Sequence, residues 1–333
     1  MKAETVSRIY ICEWVVFVCL MIVAVIAQSF HREIYAASPD LAKPIYDATM
    51  YVDKPDLAES GVLPVKFVYA SAIWPQDADR EQLPPEDHVR ALAQRLPADQ
   101  MLVLDIEHWD LSDQHVDWLI QIIQWMKDEL PDRKIGYYLL LPERKYWTAL
   151  ADPASDKYKD WQARNRSPQR LRLAEHVDAI FPSLYTFYND PAGWTAYARA
   201  NIAEARVYGK PVYPVLWPQY HTGGAQPTEL RGTNISASFW QQQLITAGTN
   251  ADGVIIWGGY KTTWDENADW WQATVQYIDQ HRITDHLQAK EAIEAAVNRA
   301  LKPHGLRIRL TGGRYHVGAG GITRDPVTVE VIK

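Results

Sequence analysis

From residue 65 onward, short apolar runs alternate with stretches in which apolar residues recur at helical spacing. Val65–Tyr69 reads as a strand, and a helix is expected around His88–Leu96. Met101–Asp105 is an apolar run with no turn residue in it, which predicts a strand buried on both faces. The stretch from Asp113 to Leu130 places Val116, Leu119, Ile120, Ile123 and Met126 at helical spacing, with Ser112 as N-cap and Pro131 just beyond. Further strands are expected at Lys134–Leu141, Ala179–Tyr185, Pro211–Trp217 and Gly253–Trp257. Helical patterns separate them at roughly 144–176, 192–207, 237–247 and 267–281. Six strands stand out, and a hidden one has room near 48–52.

Apolar strands alternating with helices imply parallel pairing and an α/β architecture. Polar and aromatic residues gather at the strand ends: Asp105 with Glu107, Tyr185, Trp217 with Tyr220, and Trp257. Chemistry collected there predicts a (β/α) TIM-like barrel, distorted if a strand is missing. A doubly wound open sheet is the rival, but no Gly-rich phosphate turn follows the first strand. Residues 28–284 are assigned to the barrel. From 285 an Ala- and Glu-rich helix to Leu301, then Leu306–Leu310 and Val327–Val331, predict a small C-terminal extension of helix plus antiparallel strands over 285–333.

Residues 1–27 have a different character. Lys2 and Arg8 precede an apolar stretch from Val15 to Ala27, whose end resembles a small-residue cleavage site. A signal peptide is expected, or, counted from Ile9, a signal-anchor through 9–27. Either puts the barrel outside the cytoplasm: secreted, periplasmic or membrane-anchored. Cys12 and Cys19 both lie in this stretch, so the exported fold relies on its core without disulfides.

The composition, 47% apolar and 23% charged, is that of a globular protein. Aromatic usage is skewed to 14 Trp and 18 Tyr against 6 Phe, which suits sugar rings as well as cores. The net charge of −7 argues against a nucleic-acid partner and fits a neutral glycan bound with little salt dependence.

Side chains on a strand alternate faces, so Asp105 and Glu107 point the same way. Two adjacent carboxylates cannot both ionise freely, and one should keep its proton near neutral pH, as a glycosidase acid does. Surface acids or structural ion pairs would look the same in sequence. His108 and His221 raise a metal-dependent hydrolase or deacetylase with Asp105 as an alternative, but no clustered His pattern supports it; no metal and no cofactor is expected. Trp109, Trp147, Trp217 and Trp264 are candidates for sugar stacking, although most Trp residues serve packing. Asn165-Arg-Ser167 and Asn234-Ile-Ser236 match glycosylation sequons, triplets common by chance.

Four motifs in order resemble the hyaluronidase family of glycoside hydrolases, of the bee-venom and mammalian type. They are Leu104-Asp-Ile-Glu-His-Trp109, Gly136-Tyr-Tyr138, Phe181-Pro-Ser-Leu-Tyr185 and Asp252-Gly-Val-Ile-Ile-Trp-Gly258, over about 65–260. The resemblance implies an endo-glycosidase that cleaves an N-acetylhexosamine-containing glycan by a retaining, substrate-assisted route. It implies Glu107 as proton donor, Asp105 as the ionised partner of the acetamido group, and Tyr185 close to that group. Tyr220 and Trp257 would line the substrate site, with Trp217, Tyr138 and Trp109 as further contacts. Ile106 stands where the family usually has Trp, and the family's barrel disulfide is absent. A glycan-binding barrel without catalysis is the other reading of the same motifs.

Overall fold

The computed structural model describes residues 43–332 except 98, 225–226, 303–306, 313–314, 319–320 and 325–326. The expected signal or anchor segment lies outside them. Among the described residues no helix is long and apolar enough to cross a membrane.

Six parallel strands form one sheet: β1 (Ile45–Thr49), β2 (Leu63–Tyr69), β3 (Met101–Asp105), β4 (Ile135–Tyr137), β5 (Val215–Leu216) and β6 (Val254–Gly258), in the order β4-β3-β2-β1-β6-β5. β1 fills the place near 48–52. The sheet curls until its two edges meet across residues 178–186. On one side the Asp178 N–H donates to the Ile135 carbonyl and the Leu139 N–H to that of Phe181; on the other the Tyr213 N–H donates to Ile180 and the Leu184 N–H to Val215. The ring therefore closes around seven strand positions, an α/β parallel barrel.

Two expected strands are shorter than their apolar runs. Residues 179–185 make only isolated bridges, and 211–217 shrinks to Val215–Leu216. Pro182, Pro211 and Pro214 carry no N–H, so the ladder is interrupted where they fall. β4 stops early because Leu139 takes a positive φ of 68°. Gly136 is needed at this seam: a Cβ there would lie 2.3 Å from the Ala179 carbonyl oxygen.

Two apolar clusters sort the strand residues by parity. Val65 and Phe67, Met101 and Val103, Tyr138, Phe181, Tyr213, Val215 and Ile255 fill the barrel. Val68, Leu102, Leu104, Ile106, Leu184, Leu216 and Ile256 face the outer shell. There they meet helices such as Asp113–Glu129, whose Ser112 Oγ accepts the His115 N–H at 3.4 Å and whose Val116, Leu119, Ile123 and Met126 are buried. The Arg-rich stretch resolves into helices Tyr146–Ala149, Asp156–Asn165 and Pro168–His176. The helices Pro191–Arg206 and Ala237–Asn250 follow the positions expected for them.

The described residues divide into two compact units, 43–278 and 279–332. Two expected helices are one, Asp269–Leu301. In the second unit Arg307–Gly312 pairs antiparallel with Val327–Ile332, and Tyr315–Gly318 with Gly321–Arg324. Asn298 ties helix to strand there: its Oδ1 accepts the Ile308 N–H at 2.6 Å and its Nδ2 donates to the Ile308 carbonyl at 3.0 Å.

Candidate active site

Inward parity carries a set of large polar and aromatic side chains to the C-terminal ends of the strands. Asp105 continues the inward series Met101, Val103; Tyr69 continues Val65, Phe67; Trp217 continues Tyr213, Val215; Trp257 continues Ile255. Tyr69 and Asp105 are register partners across β2 and β3. Ile106 between the two carboxylates is fully buried in the outer shell, so this position serves packing and an aliphatic residue fits it.

Asp105 is half-buried, and Glu107 stands exposed beyond it. Burial, then the Glu107 charge, then a hydrogen bond with Glu107 push Asp105 up to about 7. Asp105 therefore keeps a proton over a wider pH range than an ordinary carboxyl does, because burial and the Glu107 charge both disfavour its ionised form.

Aromatic rings wall the pair. Tyr185 stacks on Trp257 with centroids 5.6 Å apart and meets the edge of Trp217 at 5.5 Å; Trp217 and Trp257 meet edge to face at 5.2 Å. The Trp257 Nε1–H donates to the Tyr69 hydroxyl at 3.0 Å, which fixes the indole plane. Trp217 Nε1 is buried without an acceptor. Burial raises the Tyr185 hydroxyl well above its ordinary value, with Tyr138, Asp105 and Glu107 adding to the rise. It stays protonated across the physiological range.

A polar chain lies beside these rings. The Tyr138 hydroxyl donates to Ser183 Oγ at 2.9 Å, and Arg144 Nη1 donates to the same oxygen at 3.0 Å. The Arg144 guanidinium also sits 4.8 Å from the Phe187 ring centroid. His221 packs against Phe187, Tyr185 and Trp217. Burial and then Arg144 lower its pKa, so it is neutral, and its Nδ1 accepts the Gly223 N–H at 3.0 Å.

Asp105, Glu107, Tyr138, Tyr185, Trp217 and Trp257 are thus brought together. Two expected contacts are not. Trp109 is buried in the outer shell, its Nε1–H donates to the Arg80 carbonyl at 2.9 Å, and Trp74, His115 and Trp118 enclose its ring. Tyr220 also belongs to the shell and donates to Asn189 Oδ1 at 2.8 Å, while its neighbour His221 faces Tyr185. Trp264 packs on Tyr51, Trp270 and Trp271. His108 bonds the Arg80 carbonyl through Nε2. Among the described residues no three His, Cys, Asp or Glu side chains converge, so Asp105, His108 and His221 form no metal cluster. Of the two sequons, Asn165 is fully buried and accepts the Glu143 N–H, whereas Asn234 is exposed.

Sequence reading missed Tyr69, Ser183 and Arg144. Tyr69 was findable, as the last inward residue of a strand already identified. Arg144 lies in a loop, where no periodicity gives direction.

No family model matches the chain, and no curated protein sequence does. Among solved structures it is similar to bee venom hyaluronidase in complex with a hyaluronic acid tetramer. The identity is 16% and the TM-score 0.49, covering 71% of this chain and 95% of that one. A modular endo-β-1,4-mannanase from Cellulomonas fimi is similar at 12% identity and TM-score 0.40, over 73% and 71% of the two chains. An endo-β-1,3-glucanase from Amycolatopsis mediterranei is similar at 14% and 0.39, over 71% and 99%. These are likenesses of chain course alone and carry nothing about substrate or residue roles.

Proposed function

We propose that the protein is a glycoside hydrolase that cleaves an N-acetylhexosamine-containing glycan within the chain, with retention and with the substrate's acetamido group as nucleophile. One observation supports this most: two hydrogen-bonded carboxyls, with Asp105 pushed up to about 7, at the aromatic-walled open end of a parallel barrel. In this reading Glu107 gives its proton to the glycosidic oxygen as the C1–O bond breaks. The acetamido oxygen attacks C1 from the opposite face and forms an oxazolinium ion. Glu107, now a carboxylate, takes a proton from the water that attacks C1 and reopens that ring. Asp105 must be ionised to stabilise the cation, although burial and the Glu107 charge push it up to about 7 in the free protein. The substrate's amide N–H, donating to Asp105, favours its carboxylate. Tyr185 is near enough to feel both carboxylate charges and holds its proton, as a donor to the acetamido oxygen must. Trp257 and Trp217 serve as the floor and wall of the sugar site.

The mechanism requires an internal nucleophile. An N-acetylated polymer should be cleaved and its de-acetylated form left intact, with the first product anomer retained by NMR. Rapid cleavage of the de-acetylated polymer would refute the mechanism. We also propose that residues 1–27 direct export, with cleavage or as a retained anchor. N-terminal sequencing of the cell-derived protein distinguishes the two, and an intact cytosolic protein contradicts both.

A further inference from the structure

Trp147 has no place in the mechanism, yet it is the most exposed tryptophan recorded, 59% open to solvent. It is not loose. Its Nε1–H donates to the Tyr188 hydroxyl at 3.0 Å, Tyr146 meets it edge to face at 5.1 Å, and the Tyr188 ring lies 4.9 Å away. An exposed indole held from two sides is a prearranged flat apolar surface. It borders a cavity of about 360 Å³ that Arg144, Lys145, Tyr146, Phe187 and Tyr188 also line. That volume is within the roughly 300–1,000 Å³ range of small-ligand sites. The lining joins one open aromatic face to cationic and hydroxyl donors, the combination that meets a sugar ring: C–H groups against the indole, hydroxyls to the donors.

The cavity is linked to the aromatic site through its wall. Arg144 forms part of its wall and reaches Ser183 Oγ, which accepts the Tyr138 hydroxyl; the Tyr138 ring lies 5.9 Å from that of Tyr185. A chain of neighbouring side chains thus leads from the cavity wall at Arg144 to Tyr185. We propose that this cavity is a distal subsite for one pyranose ring of the glycan chain, with Trp147 as its stacking platform. The proposal rests on the glycan reading above and adds the place that makes binding depend on chain length.

The test is calorimetric binding of N-acetylglucosamine oligomers of increasing length to the Glu107→Gln protein, which cannot turn them over. Affinity should rise at the length that first reaches the cavity. Trp147→Ala should remove that rise, weakening the longest oligomers about tenfold, or about 1.4 kcal/mol, and sparing the shortest. Trp147→Phe should keep most of it. No binding at any length, or an equal loss at every length in Trp147→Ala, overturns the subsite. The two claims separate cleanly. Length-dependent binding through Trp147 without cleavage by the unmodified protein leaves the subsite and refutes the hydrolase. Cleavage with affinities indifferent to Trp147 does the reverse.

Discussion

Asp105 is costly to the fold in its ionised form, and the cost has a sign that can be measured. Its folded pKa, about 7, stands above the unfolded value of about 3.9. Its contribution to stability is therefore fully present below about pH 4 and is lost as pH rises through 7. Asp105→Asn does not titrate. Thermal melts should show the variant more stable than the parent at pH 8, with the gap closing at pH 4. A gap that stays constant or widens at pH 4 would mean that burial and Glu107 do not set this titration. The parent should show an alkaline limb in kcat/KM where the acid Glu107 loses its proton, and in Asp105→Asn, with no like charge beside that acid, the limb should move to lower pH. At this scale the sequence was most legible where a residue sat on a strand. Parity put Asp105 and Glu107 on one face, and a place at the strand ends brought Tyr185, Trp217 and Trp257 to the same site. Past a strand end it fails. Tyr220 was expected at the site, but the His221 N–H bonds the Thr186 carbonyl at 2.7 Å and the loop turns His221 inward instead.

At the scale of elements, the end of β6 shapes the sugar wall through a residue without a side chain. Gly258 has φ = +138°, and a Cβ there would lie 2.7 Å from Cδ1 of Trp217. Gly258→Ala should therefore cost about 1–3 kcal/mol in backbone strain and push the indole away from Trp257. The melting temperature should fall, and KM should rise more than kcat falls, because the wall binds sugar without moving protons. Unchanged values of both would contradict this role. The elements themselves were mostly readable as apolar runs between helical stretches. Their lengths were not, because hydrophobicity is blind to missing donors. Pro182 and Pro214 reduce two apolar runs to bridges and a two-residue strand while the backbone path is kept. The join of the helices expected at 267–281 and 285–301 into one was equally hidden, since neither carries a stop signal between them.

At the scale of the molecule, the site exists only because the ring closes. Trp257 reaches Tyr69 across 188 residues of chain, and Tyr138 reaches Ser183 across 45. No local segment holds these pairs together, so catalysis and a closed barrel should be lost together on unfolding. With a net charge of −7, the protein is expected to act on neutral polymers in preference to polyanions. The measurement that bears most directly on the whole reading pairs the intact protein with its Glu107→Gln variant. Both are incubated with a panel of neutral and anionic N-acetylhexosamine polymers, and the products are identified by mass spectrometry. The expected result is internal cleavage of a neutral polymer by the intact protein and a loss of about 10²–10⁴ or more in rate for the variant. No product from any polymer, or near-equal rates for the two proteins, would contradict the assignment of Glu107 as the acid of a glycoside hydrolase.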